Sequence, residues 1–236
     1  MAAGEGTGRL ARRLAWHQRL HDADAEPRNA LRWLPEVRRW QAQRLEESFR
    51  HFLDDPDRRA AALFFLADVY GDHDFSQRDA DLAKVLPGMR KLLPASVLDT
   101  VADGIELGAL TQALDLRMAE VLQRLAPRRR RLDGELYAEA YREVGHRRLR
   151  AHQIELIARL GTGLSQAVRL PGISPLLKLS RGPARLAGVD RLQAFLERGF
   201  AAFAALGDTP AFVREIEREE RTLSRRLFDG DPRPFG

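Results

Sequence analysis

Between Ala60 and Tyr70 the chain offers almost no polar face: Ala60, Ala61, Ala62, Leu63, Phe64, Phe65, Leu66, Ala67, Val69 and Tyr70 are interrupted only by Asp68. A helix that is apolar all round has to be covered all round, so in a water-soluble chain this run belongs in the interior. It is too short to cross a bilayer, and no other run approaches that length. The opening residues MAAGEGTGRLARR lack the continuous apolar core of a secretory leader, and with no cysteine the chain excludes disulfides and thiolate chemistry. The expected location is the cytoplasm.

The rest of the sequence reads as helix. Alternating β-branched and aromatic runs are missing, while Ala, Leu, Arg and Glu dominate. The expectation is an all-α protein, one bundle of about seven to nine helices over residues 9–236 behind a mobile tail of residues 1–8. Leu10, Leu14, His17 and His21 mark a first buried stripe, and a second helix runs from about Pro35 to Leu53. The Asp54–Asp57 turn caps the central helix, which Gly71 ends, and Asp74–Gln77 has the form of a capping box for the next. The stripe Val97, Val101, Ile105 slips and restarts at Leu107, which predicts a break or kink between Gly104 and Gly108. One long helix is predicted from Asp133 to about Leu160. A Gly- and Pro-rich loop with a short helix near Leu176–Leu179 then covers 161–188, and a clean amphipathic stripe runs from Val189 through Gly199 to Leu206.

Four groups of residues could carry chemistry. The cluster Asp68, Tyr70, Asp74, Arg78 and Asp79, with Asp72, His73 and Asp81, offers carboxylates and a histidine for acid–base or metal work. Ion pairing with Arg78 and helix capping by Asp74 explain the same residues without a substrate. Glu143 and His146 form a Glu-x-x-His step on one predicted helix face, half of the pattern that di-metal carboxylate bundles use, or else part of a solvated charged stripe. His17 and His21 stand one turn apart, without the glutamate of a metalloprotease motif.

The fourth group follows from charge. Residues 156–189 contain no Asp or Glu but hold Arg159, Arg169, Lys178, Arg181 and Arg185, enough to account for the chain's whole net charge of +5. The remainder is balanced, which disfavours a nucleic-acid coat, the Arg128–Arg131 run notwithstanding. Leucines interleaved with Arg169, Lys178, Arg181 and Arg185 suit an apolar or anionic ligand, a protein partner or an anionic membrane surface. They equally suit a plug whose cations stay wet.

At Phe64-Phe65-Leu66 and Tyr70-Gly71 the chain resembles the bacterial proteins named for an FFLEELY motif, departing from it at Ala67, Asp68 and Val69. Asp74, Arg78-Asp79, Trp40-Gln41, Arg44-Leu45 and Phe195–Gly199 extend the resemblance over roughly residues 40–230. It implies no activity and supplies no catalytic residues or cofactor. The leading functional expectation is a non-enzymatic binding protein with an apolar groove or cavity beside 161–188. The rival is a metal-dependent helical-bundle enzyme using Glu143 and His146.

Overall fold

The computed structural model describes the backbone of residues 2–69 and 76–236, and the side chains of 10–67, 81–82, 84–89 and 91–236. Among these the chain is all-α, without strands. The helices are α1 (Ala2–His21), α2 (Trp33–Ser48), α3 (Arg50–Asp54), α4 (Pro56–Leu63), α5 (Ser76–Leu92), α6 (Ala95–Leu125), α7 (Gly134–Val144), α8 (Arg147–Arg169), α9 (Ile173–Leu179), α10 (Arg181–Leu186), α11 (Asp190–Ala205) and α12 (Thr209–Asp229). A 3-10 turn (Pro27–Ala30) precedes α2, and a π-helical stretch (Phe64–Val69) continues α4. α1 extends back across the segment expected to be a loose tail.

The axis of the bundle is α6, a rod of 31 residues and so about 45 Å long. It packs against α1, α2, α7 and α8 and supplies side chains to each of three hydrophobic clusters. Ala102 and Ile105 meet α1, α5 and α11. Leu107, Leu110 and Leu114 meet α3, α4, α8 and α12. Leu116, Met118, Ala119 and Leu122 meet α2 and α7. The slip in its apolar spacing is therefore a change of partner along one continuous helix, not the expected break. Gly108 serves close approach instead, since a Cβ there would stand 2.7 Å from Nε2 of His17.

The double-phenylalanine run forms a wall rather than the axis. Ala61, Ala62, Phe64 and Phe65 are buried, but Leu63 is 47% exposed and Ala60 and Ala67 face solvent. Alanines make the run apolar in composition without demanding cover on every side. Asp55 caps α4 by accepting from the backbone N–H of Asp57, with Pro56 in the first turn. Phe64 and Phe65 pack into the rings of Phe195, Phe203 and Phe212 from α11 and α12.

Two further expectations change. The helix drawn from Asp133 to Leu160 is divided: Gly145 (φ +67°) and His146 (φ +59°) both take positive φ, ending α7 and starting α8 in a new direction. The stretch expected to be a loop with one short helix near Leu176–Leu179 is mostly helix: α9 takes in that short helix, while α8 runs on to Arg169 and α10 follows. Gly161 lies within α8 because a Cβ there would stand 2.6 Å from Val213 Cγ2.

Candidate functional site

From Val97 through Val101, Gly104, Ile105 and Gly108 to Thr111, Gln112 and Asp115, α6 presents one face to a cavity of about 310 Å³. Steps of three and four keep these residues aligned, and the series climbs about 27 Å of helix. The opposite walls come from Leu160, Leu164 and Val168 of α8, Ile173 and Leu177 of α9, Leu192, Phe195 and Leu196 of α11, and Phe64. The small residues Gly104, Gly108, Ala167 and Gly199 keep the space open. The volume is at the lower end of the range for small-molecule pockets.

The lining changes character along the axis. From Val97 to Gly108 it is apolar but for Thr100, whose hydroxyl donates to the Ser96 carbonyl, and it turns polar where Thr111, Gln112 and Asp115 meet His17 and His21 of α1 and Arg38 and Gln41 of α2. Arg38, Gln41, Gln112 and Asp115 are tied into a hydrogen-bond network at this end. Gln112, almost wholly buried, accepts from Arg38 Nη2 at 2.6 Å and donates to Asn29 Oδ1 at 2.7 Å. Gln41 Nε2 donates to Asp115 Oδ1 at 3.1 Å and to the Tyr137 hydroxyl at 3.3 Å. Burial pushes the Asp115 carboxyl up to about 6, against the pull of the nearby Arg150 and Arg38 guanidiniums and of the Gln41 amide. His17 and His21 stack with ring centroids 4.3 Å apart, and His21 Nδ1 bonds to the His17 carbonyl at 2.9 Å.

Gln41 and Thr111 also border a second, smaller chamber of about 50 Å³ on the far side of the network. Its other polar walls are Arg44, Tyr137, Tyr141, Arg150, Gln153, Glu220 and Ser224. Burial raises the Tyr137 phenol above its ordinary range, so this hydroxyl keeps its proton.

The sequence-predicted site residues are distributed differently. From the acid-free segment, Leu164, Ala167, Val168, Ile173 and Leu177 line the large cavity. Its cations do not: Arg169, Lys178 and Arg185 are exposed on the outside, and Arg181 makes a two-pronged pair with Glu197 at 2.7 and 2.8 Å that holds the Glu197 carboxyl at about 2. Tyr70 and Asp74, with the expected Gly71 cap, lie outside the described residues, as do the side chains of Asp68, Arg78 and Asp79. Asp81 is buried and lies 3.2 Å from Lys84 Nζ.

Glu143 and His146 do not share a helix face, because the chain turns at Gly145; Glu143 pairs with Arg124 and His146 rests against Arg117. Among the described residues no three His, Asp or Glu side chains converge as metal ligands. The residues that shape the polar end, Arg38, Gln41, Gln112 and Asp115, were not singled out as a site. Their signal was present in part: Gln112 and Asp115, with Thr111, interrupt an otherwise apolar stretch from Leu107 to Leu116.

Fold and site together define an all-helical protein with an apolar cavity closed at one end by a buried hydrogen-bond network. The chain belongs to the family described as Domain of unknown function (DUF8198), whose profile matches residues 20–234 and so takes in every helix of the cavity wall, α1 by its last turn alone. No curated protein and no solved structure matches it.

Proposed function

We propose that the protein is a non-enzymatic binding protein for a small amphiphilic molecule. Its apolar body lies along the Val97–Gly108 face of α6, and its polar end meets Gln112 and Asp115. The observation that carries this reading is the division of one cavity into an apolar length and a hydrogen-bonding end along a single helix face. A few fixed polar groups in an otherwise apolar cleft orient a ligand, while the apolar walls supply most of the binding energy. Uptake of an environment-sensitive apolar fluorophore by the purified chain tests it. The wild type takes up about one equivalent, and Val101→Trp, which fills the cavity, weakens uptake at least tenfold without lowering the folding midpoint. Absence of uptake by the wild type overturns the reading.

The outer side of the same cover supports an associated role at a membrane surface. On α9 and α10, Leu179 is 76% and Leu186 91% exposed, beside the exposed Lys178 and Arg185. Apolar side chains among cations favour an anionic lipid interface, while Ile173 and Leu177 of α9 face the cavity from within. No helix among the described residues is long and apolar enough to cross a membrane, so this contact is with the surface. In this reading α9 and α10 are where a ligand passes between lipid and protein.

A further inference from the structure

Arg150 is the one arginine of the small chamber that pairs directly with no carboxylate, although the Asp115 carboxyl on the other side of Gln41 feels its charge. Arg150 is 4% exposed, and among the described residues no acidic side chain lies within ion-pair distance of it. Its Nε and Nη2 have no hydrogen-bond partner, and Nη1 makes one long bond to Gln153 Oε1 at 3.3 Å. One face of the guanidinium is covered by the Tyr141 ring, 4.5 Å from Cζ to centroid, which leaves its edges for the chamber. The neighbouring Glu220 is already engaged, since Arg44 approaches both of its oxygens. Two guanidiniums therefore wall the chamber against one carboxylate. A buried guanidinium with unused N–H donors and no direct ion-pair partner is costly unless an acceptor of opposite sign joins it.

The other donors point to what that is. The Tyr137 hydroxyl accepts from Gln41 Nε2, so its own proton is available to an acceptor. Tyr141 and Ser224 share a hydroxyl–hydroxyl bond of 2.9 Å, which uses one of their two protons and leaves the other. A chamber of about 50 Å³ holds about three to five non-hydrogen atoms at the volume one water needs. A carboxylate has three, and a planar guanidinium edge is its geometric match.

We propose that Arg150 and the Tyr137 hydroxyl form a buried site for a carboxylate. The carboxylate is either the head group of the amphiphile in the large cavity, a source that rests on the reading above, or a free small acid. In the first case the head group crosses the Gln41–Thr111 border that the two spaces share.

Calorimetric titration of the full chain with octanoate, octanol and acetate tests this, using wild type, Arg150→Met and Tyr137→Phe. The expected result is octanoate binding at least tenfold tighter than octanol or acetate, an advantage lost in Arg150→Met and reduced several-fold in Tyr137→Phe, with octanol unchanged throughout. Acetate binding as tightly as octanoate, and only with Arg150 present, upholds the site, assigns it to a free acid and removes the amphiphile's head group from it. Octanoate and octanol binding alike, or carboxylate binding unchanged in both variants, overturns the site and leaves the cavity reading standing. No binding of any probe overturns both. If Arg150→Met does not fold, Arg150→Lys and Tyr137→Phe carry the same comparison.

Discussion

The ring of Phe64 lies directly on Gly199, so close that a Cβ on Gly199 would stand 2.6 Å from Phe64 Cζ. This contact joins the double-phenylalanine wall to α11 at the edge of the large cavity, which both residues line. Gly199→Ala brings two opposing effects. Replacing a mid-helix glycine gains about 1 kcal/mol of helix propensity, while forcing the ring aside costs about 1–3 kcal/mol. The expected balance is a loss of about 0–2 kcal/mol in chemical denaturation. The ring lines the large cavity, so a ring displaced into it lowers fluorophore uptake along with stability. A gain in stability together with undiminished uptake would show that the ring yields without entering the cavity.

Asp115 makes folding pH-dependent in a direction opposite to the usual acid. Its carboxyl is raised to about 6 because it is buried, so the folded state holds the proton more tightly than the unfolded state does. Stability is therefore full below about pH 4 and declines as pH rises through about 6, by roughly 3 kcal/mol if this group acts alone. Asp115→Asn keeps an acceptor for Gln41 and cannot ionise, so its denaturation midpoint loses this decline relative to wild type. Arg150→Met removes a cation that favours the charged form and shifts the decline to higher pH. Parallel wild-type and Asp115→Asn profiles between pH 4 and 7 would count against the assignment.

Much of this architecture can be read from the chain. The apolar stripes at Leu10–His17 and Val189–Leu206, the Asp55–Pro56 start of α4 and the leucines of the acid-free segment lie where their spacing puts them. What periodicity could not supply was the number of neighbours around a helix. α6 is surrounded on several faces, so its buried positions fall out of step and imitate a break, whereas Ala60–Ala67 imitates an axis because alanine tolerates either setting. The polar end of the cavity was hidden for a related reason. Arg38, Gln41, Gln112 and Asp115 are brought together by the packing of α2 on α6, more than 70 residues apart in the chain.

The Gly145–His146 turn decides which residues can act together. Gly145 has φ +67° and ψ −130°, a region that residues with a Cβ avoid, though a Cβ there would have space, with Arg142 O at 3.8 Å. The penalty for Gly145→Ala is therefore conformational, about 1–3 kcal/mol in equilibrium denaturation. His146 is left-handed at φ +59°, where glycine or asparagine sits with less strain. His146→Gly is expected to be neutral or slightly stabilising. The two variants together separate backbone strain from any contribution of the imidazole, and a costly His146→Gly would assign that cost to its contact with Arg117.

The exposed face of α9 and α10 gives a prediction that separates surface binding from cavity binding. Leu179 and Leu186 are the two most exposed large apolar side chains of the described structure, and neither lines the cavity. Leu179→Asp with Leu186→Asp removes apolar area from the face and places acid among Lys178 and Arg185, which an anionic lipid surface repels. Both positions already face water, so core packing is unaffected and the denaturation midpoint stays close to wild type. In co-sedimentation with vesicles rich in phosphatidylglycerol, the wild-type chain pellets at low salt and is released as salt rises, because the cationic part of the attraction is screened. The double variant stays in the supernatant while its fluorophore uptake in the absence of vesicles is unchanged. Pelleting of the double variant equal to wild type would move the membrane contact away from α9 and α10. Loss of fluorophore uptake in that variant would instead show that these two leucines hold the cover of the cavity in place.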